Sequence, residues 1–199
     1  MSLHISVLAV AGLASAAAAQ GFSLSMIPSS STVLQGETVT VTVYGDASVG
    51  THILGGGFGL ELDLICGEIA SVTWNPASWS AFNTDEGFDG SSSYGPVTFG
   101  QLVIPGVPPF DVPAAGSETG QAIGFFEIEA STSGGSLGGI IQLVEIEPFS
   151  LEVLDINTGE FFNSSQGNLE LGNLQFFCPS PSSCAMLGFA GVVCSRRRR

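Results

Sequence analysis

The most polar segment of the chain, NTDEGFDGSSSYG at residues 83–95, contains the carboxylates best suited to binding a metal ion. Asp85, Asp89 and Gly90 resemble the beginning of a loop that holds calcium through oxygen ligands. The spacing of an EF-hand is not met, because the twelfth position counted from Asp85 is Pro96 instead of Glu. The segment is therefore either a solvated loop or a calcium site of another kind, with Ca²⁺ as the counterion of Asp85 and Asp89.

Aromatic residues, namely Trp74, Trp79, Phe82 and Tyr94, gather around the same segment. Aromatic rings can cover the faces of sugar rings, and neighbouring carboxylates accept hydrogen bonds from hydroxyl groups. One interpretation is a polysaccharide-binding patch whose contacts are Trp74, Trp79 and Tyr94. The other is a set of rings that closes one end of a hydrophobic core.

One serine motif, GGSLG at residues 134–138, matches the G-x-S-x-G pattern of the nucleophile elbow in α/β-hydrolases. That elbow requires a helix after Ser136, whereas GIIQLVEIEPF follows and has the pattern of a strand. A hairpin turn explains these glycines better than a nucleophile elbow does. His52 is best explained as an ordinary surface residue. The sequence predicts no catalytic residue and no enzyme.

Of the four cysteines, Cys66 and Cys178 precede the C-terminal segment described below. In an oxidising compartment these two can form a disulfide. The alternative is a free thiol in a flexible tether, because Cys178 abuts that segment. No Cys-x-x-Cys or His/Cys spacing indicates zinc.

The charges are distributed unevenly. All eighteen acidic residues lie between Glu37 and Glu170, whereas the four basic residues are Arg196, Arg197, Arg198 and Arg199. The carboxylates of the body must therefore be satisfied by water, by hydrogen-bond donors or by bound cations. An electronegative surface of this kind repels phosphate backbones and anionic lipid headgroups, which excludes nucleic acid as a partner.

Alternation of apolar and polar residues, typical of half-buried strands, recurs along residues 20–177. ETVTVTVYG and FGLELDL alternate strictly, and further strands are predicted at PVTFGQLVI, AIGFFEIEA, GIIQLVEIEPFSLEVLDI and NLELGNLQFF. Turns rich in Gly and Pro separate these segments. The pattern predicts an all-β fold, an antiparallel β-sandwich of about eight or nine strands.

Residues 1–19 consist of a short apolar run followed by small residues, with Ala17 and Ala19 at a small-x-small cleavage site. The beginning carries no Lys or Arg, in contrast to most signal peptides. We nevertheless expect a helical secretory signal peptide that signal peptidase removes before Gln20.

Residues 178–199 combine Pro179, Ser180 and Pro181, a short apolar run at 185–194 and the terminal arginines. As a helix this run spans roughly 15 Å, about half of the hydrocarbon core of a membrane. In order and spacing the segment resembles the PEP-CTERM sorting signal of bacteria that secrete exopolysaccharide, with Ser180 in place of the usual Glu. The resemblance implies export and recognition by an exosortase, a membrane protease-transpeptidase. The alternative is a plain C-terminal anchor.

The order of the strand motifs carries a second resemblance. QGETVTVTVYG supplies a G-x-x-V-x-V strand, FGLELD supplies F-x-L-x-L-D, and Asp155 and Gly159 supply a late Asp-x-x-x-Gly pair. These motifs are similar to those of cohesin-type sandwiches, which implies a jelly-roll-like connection of the strands. Cohesins bind dockerins, but no residue identifies a dockerin-binding face, so the resemblance is carried over for the fold alone.

The sequence therefore predicts an exported, non-enzymatic protein of the cell envelope or extracellular matrix, held transiently in the membrane by its C-terminal segment. Residues 1–19, 20–177 and 178–199 are the expected signal peptide, sandwich domain and sorting signal. Its expected partners are signal peptidase and an exosortase-type protease, then exopolysaccharide or another envelope protein. The alternative function is a binding module for calcium or polysaccharide near residues 85–94, with Ca²⁺ as the only cofactor considered.

Overall fold

The computed structural model describes residues 20–178. The predicted signal helix at 1–19 lies outside the described residues, as do the sorting motif at 179–181, the short apolar helix and the arginines at 196–199. Within residues 20–178, no helix has the length and hydrophobicity needed to cross a membrane.

Twelve strands and one 3-10 turn, Ser164–Gln166, make up the regular structure of the described part. The strands are β1 (Gly21–Pro28), β2 (Thr38–Ala47), β3 (His52–Cys66), β4 (Ile69–Pro76), β5 (Thr84–Asp85), β6 (Ser93–Gly100), β7 (Ala122–Ala130), β8 (Gly138–Glu145), β9 (Glu152–Asp155), β10 (Glu160–Asn163), β11 (Asn168–Leu171) and β12 (Asn173–Phe176).

The strands form two sheets. The five-stranded sheet has the order β11-β1-β2-β7-β4, and the seven-stranded sheet contains β10-β9-β3-β6-β5 together with β8 and β12. The long strand β3 is the axis of the second sheet, because β9 pairs with its first residues and β8 pairs with the remainder. β12 then pairs with β8.

Strict alternation along the strands places one set of side chains between the sheets. Val41 and Val43 of β2 and Phe58 and Leu60 of β3 are at most 1% exposed, and all four belong to one hydrophobic core. The predicted all-β sandwich with antiparallel pairing is confirmed. Burial of these apolar faces is the main contribution to stability that the fold offers.

The strand count and one pairing differ from the prediction. GIIQLVEIEPFSLEVLDI is interrupted after Glu145 and forms β8 and β9, and NLELGNLQFF divides at Gly172 into β11 and β12. The division at Gly172 moves the chain from the five-stranded to the seven-stranded sheet. β11 pairs with β1 in parallel, whereas all other strand pairs of residues 20–178 are antiparallel.

A disulfide joins Cys66, the last residue of β3, to Cys178. The two cysteines are 112 positions apart in the sequence, so the bond encloses most of the sandwich. Of the two alternatives considered for Cys178, the structure has the bonded one. The bond holds the last described residue at one end of β3.

Candidate functional site

The segment between β4 and β6 is attached to the core by Tyr94. The Tyr94 side chain is 3% exposed. Its hydroxyl donates a hydrogen bond to Oδ1 of Asp85 at 2.7 Å and accepts one from the backbone N–H of Trp74 at 3.3 Å. Asp85 is an exposed residue of the two-residue strand β5, which pairs with β6. The phenol therefore links the acidic surface loop to β4.

Burial, together with the hydrogen bond to Asp85, raises the pKa of Tyr94 from 10.0 to about 12. Because the folded pKa lies above the unfolded one, the contribution of the protonated phenol to stability is complete below pH 10 and is lost as the pH rises toward about 12. We expect the melting temperature to fall across this interval, and less steeply in Tyr94→Phe. Circular dichroism melts at a series of pH values measure both slopes.

Tyrosinate absorbance gives the matching control, since the chain has two tyrosines. Tyr94→Phe should lack the absorbance step centred near pH 12, and Tyr44→Phe should keep it. Equal pH dependence of melting in the wild type and in Tyr94→Phe would contradict the assigned role of the phenol.

Asp89 is occupied by donors of its own turn. Its Oδ1 accepts the backbone N–H groups of Ser91, Ser92 and Ser93 at 2.7, 2.9 and 3.1 Å. Its Oδ2 accepts the hydroxyls of Ser91 and Ser93 at 3.1 and 3.0 Å. These donors, the backbone of Ser93 foremost, hold the pKa of Asp89 well below its usual range. The serines stabilise the carboxylate in the way that a cation otherwise would.

The predicted calcium ligands Asp85 and Asp89 are thus engaged by separate partners, Tyr94 and the serine turn. In the part of the chain that the structure describes, no group of three or more His, Cys, Asp or Glu is placed to hold a metal ion. This geometry agrees with the solvated-loop interpretation of the segment.

The structure corrects the predicted sugar contacts. Trp74, Trp79 and Tyr94 are only 6%, 7% and 3% exposed, so their ring faces are not available to a polysaccharide. The ring centroids of Trp74 and Tyr94 lie 4.7 and 5.2 Å from that of Phe126 in the core. Trp79 donates its Nε1–H to the carbonyl oxygen of Ala122 at 3.1 Å. The three rings belong to the hydrophobic core, in line with the alternative interpretation that assigned them to it.

Ser136 and His52 lie at opposite ends of β3. The carbonyl oxygen of Ser136 is 3.4 Å from Sγ of Cys66, the last residue of the strand. His52 is the first residue, and its Nδ1 is hydrogen-bonded to the hydroxyl of Thr51 at 3.0 Å. Roughly 45 Å of extended strand separates the two ends. Among residues 20–178 no histidine lies beside Ser136, and strand β8 follows the serine. The described part of the chain therefore does not have the geometry of a nucleophile elbow.

The surface feature that sequence reasoning missed is the β6–β7 loop, residues 101–121. β6 ends at Gly100, so the predicted strand PVTFGQLVI is wrong over its last four residues. Exposed apolar side chains follow instead, at 40–68% exposure: Leu102, Ile104, Val107, Phe110 and Val112. The available signal was an apolar segment, LVIPGVPPFDVP, whose prolines exclude regular strand pairing.

Comparisons with known proteins concern the strand arrangement. No protein-family model matches the sequence. No curated protein gives a significant match either. Solved structures with a similar arrangement include cohesin modules. The segment that resembles the PEP-CTERM signal, residues 178–199, lies outside the described part except for Cys178.

Three of these structures serve as examples. A type I cohesin–dockerin complex from Clostridium thermocellum shares 14% identity at a TM-score of 0.47, covering 78% of this chain and 99% of that chain. The seventh ScaB type I cohesin from Pseudobacteroides cellulosolvens shares 12% identity at a TM-score of 0.45, covering 81% and 94%. A non-cellulosomal cohesin from the archaeon Archaeoglobus fulgidus shares 14% identity at a TM-score of 0.37, covering 82% and 97%.

Proposed function

We propose that this chain is an exported, non-enzymatic binding protein of the cell envelope, in which the sandwich does the binding and residues 178–199 are a sorting signal. The Cys66–Cys178 disulfide is the observation that carries the proposal. Disulfides persist in oxidising compartments and are rare in the cytosol. The bond also lies directly before Pro179, so the expected processing site follows the last covalently fixed residue of the sandwich.

The charge distribution also supports export, with the body of the chain outside the membrane. The body contains no Lys or Arg, and the arginines at 196–199 are the only basic residues of the chain. Lys and Arg close to an apolar segment favour the cytoplasmic side of a membrane. In this proposal the acidic body lies on the outer side of the membrane. The disulfide holds Cys178, the residue before the proposed sorting motif, at the end of β3.

The separation of Ser136 from His52 favours binding over hydrolysis as the activity of the sandwich. The calcium and polysaccharide alternatives have no comparable support, since the serine turn satisfies Asp89 and the core encloses Trp74 and Trp79.

Cell fractionation and intact-mass analysis in the native host test this proposal. The wild-type mature protein should begin at Gln20, end close to Pro179–Pro181, carry an oxidised Cys66–Cys178 pair and appear in the envelope or the medium. A variant with Arg196–Arg199 all changed to Ser should accumulate with its C-terminus uncut. The same four positions changed to Lys keep the charge and serve as the matched control.

Full-length wild-type chain in the soluble cytosol, with Cys66 and Cys178 reduced, would overturn the proposal. Correct processing of the Ser variant would overturn the role of the arginines while leaving export intact.

A further inference from the structure

The β6–β7 loop continues into a second apolar area on the outer face of the seven-stranded sheet. Val103, 8% exposed, packs with Leu54 of β3 and Leu154 of β9 in a cluster separate from the main core. Their neighbours Ile53 and Val153 belong to the main core. Because successive residues of a strand point to opposite faces, Leu54 and Leu154 face outward and Val103 covers them.

Phe161 extends this area onto β10. It is paired directly with Leu154, so both side chains lie on the same face of the sheet, and it is 47% exposed. The apolar patch is defined here as the exposed residues Leu102, Ile104, Val107, Phe110, Val112 and Phe161.

The loop is held in one shape by internal hydrogen bonds. Nε2 of Gln101 donates to the carbonyl oxygen of Ile53 at 2.7 Å, and its Oε1 accepts the N–H of Ala114 at 2.8 Å. Further along the loop, the N–H of Ile104 donates to the carbonyl oxygen of Phe110 at 2.6 Å. A loop ordered before binding loses little entropy when a partner docks, which favours a binding surface.

The negative charge of the body restricts which kind of partner can dock on the apolar patch. Asp111 is the only charged residue between positions 101 and 117, whereas the rest of the body is acidic and has no Lys or Arg. A second copy of the chain or an anionic membrane would bring like charges against the surroundings of the patch. A partner with basic residues around an apolar centre would meet opposite charge there.

The position of the β6–β7 loop in the sandwich indicates which way the apolar patch faces. The loop leaves β6 at Gly100, which pairs with Gly55 near the start of β3, whereas Cys178 is bonded to the end of β3. Roughly 35 Å of strand separates these points. With residues 179–199 directed to the membrane, the patch is presented on the distal side of the sandwich.

We infer that the apolar patch docks a protein whose contact surface has an apolar centre and a rim of Lys or Arg. Contiguous exposed apolar area on a folded domain marks such interaction sites. The inference rests on the proposed function for the outward orientation of the patch, and on the described geometry for the binding itself.

Fluorescence anisotropy with a synthetic amphipathic helix, leucines on one face and lysines on the other, tests the inference on the purified, disulfide-bonded protein. The wild type should bind it, and Val107→Ser/Phe110→Ser should bind about tenfold more weakly or worse. Ile27→Ser/Leu34→Ser is the matched control, since these residues are 56% and 50% exposed elsewhere and should leave the affinity unchanged. Raising NaCl from about 0.05 M to about 0.5 M should weaken wild-type binding.

A helix with glutamates in place of the lysines should not bind. The inference fails if the wild type does not bind the Leu/Lys helix, or if both double variants bind it equally. If the protein binds neutral phosphatidylcholine vesicles and the double variant does not, the patch binds lipid and the inference is wrong. If the protein self-associates in sedimentation and the double variant does not, the patch binds a second copy of the chain and the inference is likewise wrong. Val112→Ser, at the most exposed residue of the apolar patch, replaces the double variant if that variant does not fold.

None of these measurements depends on export or processing. A failed binding experiment with correct sorting in cells therefore removes the docking inference alone, and the reverse result removes the proposed function alone.

Discussion

Gly56→Ala is expected to abolish folding or to lower the free energy of unfolding by about 4 kcal/mol or more, since backbone collisions belong to the most damaging substitutions. Gly56 lies in β3 with a φ of 157°. A methyl group on it would collide with the carbonyl oxygen of Ser150 and lie 3.0 Å from Cα of Leu151. These are backbone atoms, so relief requires the chain before β9 to move.

That chain has little freedom to move. Leu151 is fully buried in the core. The hydroxyl of Ser164 accepts the N–H groups of Ser150 and Leu151 at 3.0 and 3.2 Å, so displacement would also break these buried hydrogen bonds. Steric overlap, backbone conformation and hydrogen bonding therefore all oppose a side chain at position 56.

Gly159→Ala is the matched control for Gly56→Ala. Gly159 also has a positive φ, 73°, but nothing lies within 4 Å of the position that a methyl group would take. Only the backbone conformation is then penalised, at about 1–2 kcal/mol. Urea unfolding of both variants measures the difference, and equal midpoints for the two would show that the contact with Ser150 is unimportant.

The fold was predictable where the relevant pattern is local. Alternation in ETVTVTVYG and FGLELDL assigns Val41, Val43, Phe58 and Leu60 to the core because the period of a strand is fixed by its geometry. The parallel pairing of β1 with β11 has no such signal, since it joins distant segments of the chain. The glycines at 55–57 would weaken an isolated strand. What crowds them are distant parts of the chain, namely the backbone of Phe99 at Gly55, the backbone of Ser150 at Gly56 and the side chain of Ile146 at Gly57.

The sequence drew attention to the segment at 83–95 but did not indicate which contacts its carboxylates make. Acidic residues drew attention to positions 83–95, yet the partner of Asp85 is the phenol of Tyr94 and those of Asp89 are local serines. Composition cannot distinguish a buried indole from an exposed one, so Trp74 was open to two interpretations. The apolar patch was missed because apolar residues in sequence are expected in the core.

Loss of the Cys66–Cys178 bond is expected to lower the melting temperature of the protein by about 8–20 °C. The bond closes a loop of 112 positions, and the chain-entropy model assigns to such a loop about 4–5 kcal/mol. For a chain of this size, each kcal/mol corresponds to about 2–4 °C. Cys66→Ser, compared with the wild type by calorimetry, measures the effect.

A double variant and a thiol reductant show how much of the effect comes from the cross-link and how much from local packing at the cysteines. Cys66→Ser/Cys178→Ser should melt close to the single variant, because either change already removes the cross-link. A thiol reductant should lower the melting temperature of the wild type and leave that of the double variant unchanged. Without the bond, β12 loses its tie to the end of β3, so hydrogen exchange should accelerate at Asn173–Phe176 before it does in β2. Uniform acceleration across both strands would mean that the disulfide acts on the whole sandwich and does not specifically secure β12 and Cys178.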